Sequence, residues 1–93
     1  MSGGTYEVTN NEAANRFEAH VEGRVAELVY RQDADRLILI HTGVPEELGG
    51  RGIGGALVSA ARDHAHRNTL TIEARCPFAR RWLREHPIEP SDD

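Results

Sequence analysis

The sequence predicts a mixed α/β (α+β) fold in the order β-β-β-β-α-β-α. Four antiparallel strands come first, then a helix, a strand parallel to the fourth, and a C-terminal helix. Three observations carry this reading. Polar and apolar residues alternate over the first half of the chain, with turn residues between the runs. After the glycine-rich residues 49–55 the apolar positions switch to helical spacing. A short alternating segment at 70–74 then lies between two helical patterns, and a helix is the connection a parallel strand needs.

Residues 1–4 read as a flexible leader and residues 5–9 as the first strand, ended by the turn chemistry of Asn10-Asn11-Glu12. Phe17, Ala19 and Val21 share one face of the second strand, over 16–21. Glu22-Gly23 is a hairpin signal, and the third strand covers 24–31. Residues 37–44 form the fourth strand. Leu37-Ile38-Leu39-Ile40 is apolar on both faces, which predicts a central position. Ile53, Leu57, Ala60, Ala61, His64 and Ala65 place a helix at about 52–67, with Asn68 just past its end. Leu70, Ile72 and Ala74 form the fifth strand. Pro77 suits the first position of a second helix, which makes Cys76 its N-cap and Pro87 its stop. Residues 89–93 read as an acidic, disordered tail.

The 93 residues make one domain, 1–93, with an ordered core over about 5–88. Acidic residues outnumber basic ones 15 to 11, for a net charge of −4, and every basic residue is Arg. That balance argues against a nucleic-acid partner. No apolar run reaches the ~20 residues of a membrane span, and Met1-Ser2-Gly3-Gly4 lacks the features of a signal peptide. A cytoplasmic protein without membrane partners is expected. The lone Cys76 has no internal disulfide partner, and no metal cluster is expected.

Residues 49–55 carry the chemistry. Five glycines fall in these seven positions, between an apolar strand and a helix. Glycines let the backbone turn sharply and approach a ligand closely. The free N–H groups of a helix start then face an anion, as in phosphate-binding loops. Gly50-Arg51-Gly52-Ile53-Gly54-Gly55 matches the dinucleotide pattern literally, with Glu73 near the acidic offset. Pro45 to Leu48 intervene after the strand, however, and about forty residues leave no room for the further βαβ units such a site needs. No Gly-Lys-Ser/Thr closes a nucleoside-triphosphate loop.

A coenzyme A loop remains. Val44-Pro45 followed by Gly49-Gly50-Arg51-Gly52-Ile53-Gly54 resembles the main motif of the GNAT acetyltransferase superfamily. Gly49 stands where that motif usually has Arg or Gln, and Arg51 is the candidate for the positive charge. The chain is also similar to the small, minimal GNAT-like N-acetyltransferases. That resemblance rests on Asn10 with Arg16-Phe17-Glu18, on His41-Thr42-Gly43-Val44-Pro45, on Cys76-Pro77-Phe78, and on His86-Pro87. It covers about residues 5–88. The resemblance implies a GNAT-like fold and an acetyl-CoA-dependent N-acetyltransferase with a small-molecule or protein amine as acceptor. It assigns cofactor binding to Val44, Gly49, Gly50, Arg51, Gly52, Ile53, Gly54 and Gly55, with Val44 offering its backbone to the pantetheine arm. Strand four would polarise the carbonyl through a backbone N–H.

Two residues are the catalytic candidates. Cys76 at a helix start favours thiolate and serves as nucleophile or as acid to the departing thiolate, the alternative being a buried apolar residue. His41 is a candidate base, the alternative being a structural histidine. Glu46 and Glu47 are rival bases or solvated charges. His64 and His66, two apart on a helix, point to different sides and form no metal site. Arg75, Arg80, Arg81 and Arg84 read as a solvated basic face. The competing function classes are a non-catalytic acetyl-CoA-binding or protein-interaction module, and a partner-binding sheet with no CoA affinity.

Overall fold

A computed structural model describes residues 6–87; the leader at 1–4 and the tail at 89–93 lie outside the described residues. The strands are β1 (Val8–Asn11), β2 (Arg16–Val21), β3 (Arg24–Asp33), β4 (Arg36–Gly43) and β5 (Thr71–Ala74), with helices α1 (Ile53–Arg67) and α2 (Pro77–Glu85). One five-stranded sheet runs in the order β1-β2-β3-β4-β5. The first four strands pair antiparallel and β5 pairs with β4 in parallel, as the alternation and the intervening helix require.

The first strand lies further along the chain than the expected 5–9. Asn10 and Asn11 pair with Phe17 and Arg16 instead of breaking the strand. The turn comes later because the Asn11 side chain accepts from the Ala14 N–H at 3.3 Å and caps a 3-10 turn, Glu12–Ala14. At the β2–β3 hairpin Glu22 and Gly23 both take positive φ, 55° and 77°, the tight turn whose twist matches its strands. After α1 the left-handed residue is Thr69 at φ 56°, not Asn68. Asn68 instead donates its side-chain amide to the His64 carbonyl at 2.8 Å.

Both helices lie on one face of the sheet. Phe17, Ala19, Ala26, Leu28, Leu37 and Leu39 meet Ile53, Leu57, Val58, Ala61 and Ala79 there, all buried. Each large side chain so buried contributes about 1.5–3 kcal/mol. The expectation of a strand buried on both faces holds only in part. β4 lies between β3 and β5, yet Ile40 is 42% exposed because no described helix covers the other face. Ile38, on that uncovered side, is nonetheless buried.

The helices meet through glycine. A Cβ on Gly54 would lie 2.9 Å from the Phe78 ring, and one on Gly55 would lie 2.6 Å from Trp82 Nε1. The absence of side chains at these two positions lets the aromatic stripe of α2 close on the start of α1.

Candidate active site

Two irregularities open β4 toward its C-terminal end. The β3–β4 register shifts between Val29 and Tyr30: Val29 faces His41 while Tyr30 faces Leu39, so Ile40 is the extra residue of a bulge. The β4–β5 ladder then stops at Leu39 and Ala74. Beyond it the N–H groups of Arg75 and Cys76 both donate to the Leu39 carbonyl, at 2.8 and 3.1 Å, and the chain turns into α2. The two strands therefore part at this point. Neighbouring residues of a strand point to opposite faces. Thr42 accordingly faces the helices, while His41 and Gly43 face the open side.

A cleft of about 450 Å³ lies where the strands part, lined by Thr42, Val44, Gly49, Gly50, Gly52, Ile53, Gly54 and Phe78, with Leu48 behind them. The insertion from Pro45 to Leu48 is a capped 3-10 turn, Glu46–Leu48, whose buried Leu48 anchors the loop to the core. Gly50 and Gly52 both sit at φ 79°, where any other residue is strained, and a Cβ at either would meet nothing within 4 Å. Backbone geometry therefore demands these glycines, and the space above them is open. Gly52 caps α1 without a side-chain hydrogen bond, and no acidic residue stands in the first turn. The first N–H paired into the helix is that of Ala56, to the Gly52 carbonyl at 3.0 Å. The N–H groups of Ile53, Gly54 and Gly55 precede it, in the orphan positions of a helix start. This is a cradle suited to an anion.

The other expected cofactor contacts divide. Arg51 holds Glu22 at 2.8 Å across the β2–β3 hairpin and does not line the cleft. Gly55 is likewise outside the lining and faces Trp82. Gly54 does both jobs, wall and helix contact.

Cys76 is the N-cap of α2, as expected, and only 5% exposed. Its Sγ lies 3.2 Å from Thr42 Oγ1, and Thr42 lines the cleft whereas Cys76 does not. Burial pushes the thiol pKa up. The Thr42 side chain, the amides at Ala79 and Phe78 and the backbone at Thr42 outweigh burial and leave it below its ordinary value. Sequence reading missed Thr42, although its alternation with Val44 already puts both on the side facing the helices. Phe78, named there only within the Cys76-Pro77-Phe78 motif, is also a wall of the cleft.

His41 is exposed on the open face of the sheet. Of the rival bases, Glu47 pairs with Arg24 at 3.4 Å and Glu46 is exposed in the 3-10 turn. His64 packs edge-on to Phe17 and His66 lines a separate cavity of about 480 Å³ between α1, β5 and α2. That cavity holds none of the candidate residues. Among the described residues no group of three His, Cys, Asp or Glu could hold a metal ion, and no helix is long and apolar enough to cross a membrane.

Glu18 sits on the open face with its side chain only 9% exposed. Hydrogen bonds from Asn11, Arg16 and His20 hold its carboxyl at about 2, against an ordinary 4.5. A depressed folded-state pKa stabilises the fold above the ordinary value, and the contribution disappears as pH falls from about 4.5 toward 2. Glu18→Gln should therefore flatten the acid limb of the thermal melting profile in that window. An unchanged acid limb would remove Glu18 from the origin of that stability.

The parallel strand pair thus parts beside a bulge, with an open glycine cradle at its mouth and the Cys76 thiol bonded to a threonine of its wall. The chain belongs to the GCN5-related N-acetyltransferase family, whose model matches residues 16–92. It is 29% identical over 89 residues to mouse (Mus musculus) Protein NATD1, a match covering 92% of this chain and 81% of that protein. The solution structure of a GCN5-like protein from Staphylococcus aureus matches with a TM-score of 0.68 and 37% identity, covering 92% of this chain and 83% of that one.

Proposed function

We propose that the protein transfers the acetyl group of acetyl-CoA to an amine. The observation that carries this is the open cradle formed by Gly50, Gly52 and the first turn of α1 beside a diverging strand pair. A diphosphate fits the donor chemistry of that cradle: backbone N–H groups, a helix N-terminus and no nearby first-turn acid. Gly49, Gly50, Gly52, Ile53 and Gly54 would hold the diphosphate, and Val44 would pair with the pantetheine amides. Arg51 and Gly55 act indirectly, Arg51 by tying the loop to the hairpin and Gly55 by seating α2. Bound acetyl-CoA supplies an acyl carbon activated as a thioester.

His41 and Thr42 are neighbours on opposite faces of β4 and would serve a bound thioester as base and as proton relay from Cys76. His41 takes one proton from the acceptor ammonium and passes it to water. The C–N bond then forms and the C–S bond breaks. Cys76 gives its proton to the departing sulfur by way of Thr42 Oγ1, and the second amine proton restores the thiol. A thiol held below its ordinary pKa is well matched to a thiolate leaving group. A free thiol also suits a reducing compartment, which supports a cytoplasmic location.

Calorimetric titration with acetyl-CoA, followed by thiol-release assays with a panel of amines, tests the reading. Saturable binding with amine-dependent release is expected. Binding without release would make the protein an acetyl-CoA-binding module, and no binding would overturn the proposal.

A further inference from the structure

The cavity between α1, β5 and α2 shares no lining residue with the cleft. Its volume of about 480 Å³ lies within the ~300–1,000 Å³ of small-molecule pockets. Leu70, Ile72, Ala74 and Leu83 form an apolar floor. Each packs against the core yet is only half-buried, so apolar surface is left facing the cavity. The walls are basic. Arg62 and His66 lie one turn apart on one face of α1, and Arg80 stands on α2. Neutral groups anchor both guanidiniums. Arg62 donates to the His86 carbonyl and lies 4.9 Å from the centre of the Trp82 ring. Arg80 Nε donates to the Ala74 carbonyl at 3.4 Å. Among the described residues Arg16, Arg24, Arg36, Arg51 and Arg75 pair with carboxylates, whereas Arg62 and Arg80 do not. In a chain with 15 acidic residues to 11 basic ones, the two guanidiniums over this floor are left unmatched.

We propose that this cavity binds a monocarboxylate with an unbranched alkyl tail. The tail lies on the floor, the head meets Arg62 and His66, and Arg80 adds positive field from α2. The floor selects hydrocarbon, which gains by leaving water. A guanidinium fork matches a carboxylate in plane and charge, and the imidazole N–H supplies a further donor. Arg62 is already held by His86 and Trp82, so it loses little freedom on meeting the anion. Arg62 is half-buried and His66 exposed, which keeps the head at the mouth, within reach of water. The site lies apart from the glycine cradle and does not depend on the acetyltransferase reading.

Calorimetry on the full chain with sodium octanoate, 1-octanol and acetate tests the site, and amide and methyl NMR shifts locate it. Octanoate should bind saturably. Octanol and acetate should bind at least tenfold more weakly, since each lacks one half of the recognition. Octanoate should shift Ile72 and Leu83, leave Gly50 and Gly52 unmoved, and stay bound in the presence of acetyl-CoA. Arg62→Gln, with circular dichroism matching wild type, should weaken octanoate roughly tenfold, the value of one charge-assisted hydrogen bond. No saturable binding, equal binding of octanol, shifts centred on the glycines, or displacement by acetyl-CoA would overturn the site. Leu83 shifts that grow with protein concentration alone would also overturn it, by putting a second copy on the floor. Nuclear Overhauser contacts from residues 88–93 to Leu83 in the free protein would do so too, by giving the floor to the chain's own acidic segment.

Discussion

Replacing Gly52 with valine is expected to abolish acetyl-CoA binding while leaving the far-ultraviolet circular dichroism close to wild type. Gly52 sits at φ 79°, a conformation that costs an L-residue about 1–2 kcal/mol and a β-branched one more. The turn relaxes by moving the start of α1, and the N–H groups of Ile53, Gly54 and Gly55 lose their common aim. Losing two charge-assisted hydrogen bonds at about 1.5–3 kcal/mol each weakens affinity roughly a hundredfold or more. The core is spared, because a Cβ at this position meets no atom within 4 Å. Gly52→Ala should fall between the two. A folded valine variant with wild-type affinity in the calorimeter would remove the loop from the donor site.

Cys76→Ala is expected to lower kcat by about a hundredfold, within the usual range for loss of a positioned acid, with donor affinity unchanged. Thr42→Val should reproduce much of that loss, since it cuts the 3.2 Å link between the thiol and the cleft. No acetyl group should accumulate on the enzyme, because Cys76 is only 5% exposed and does not line the cleft. A hydroxylamine-sensitive acetyl-thiol trapped on the wild-type protein would replace the acid with a covalent relay. Full activity in Cys76→Ala would leave His41 as the sole catalytic candidate.

The legible and illegible parts of this molecule separate along physical lines. Strand alternation and the change of period after Gly49 foretold the order of elements and the parallel β4–β5 pair. Helix capping foretold Cys76 ahead of Pro77. These features depend on neighbours in the chain. The β1 boundary was misplaced because Asn11, a turn former by composition, spends its side chain on a cap while its backbone stays in the ladder. Within the glycine run, sequence could not divide the labour. Gly50 and Gly52 are required by backbone angle, whereas Gly54 and Gly55 are required by the aromatic rings of a helix over twenty residues away. Arg51 read as a ligand for phosphate until the hairpin brought Glu22 to it. Thr42 stood inside a motif without a part of its own, which it gains only from Cys76 on another element.

The contact between Gly55 and Trp82 gives the protein an optical reporter of its own. The indole is the only tryptophan in the chain, so its emission carries no background from other sites. It stacks on His86 at 4.2 Å and lies under the Arg62 guanidinium at 4.9 Å, in surroundings that shape its emission. Any adjustment of the first turn of α1 on taking up an anion presses on that ring through Gly55. Unlabelled protein in a cuvette can thus be read for donor occupancy by a signal that starts at the loop itself.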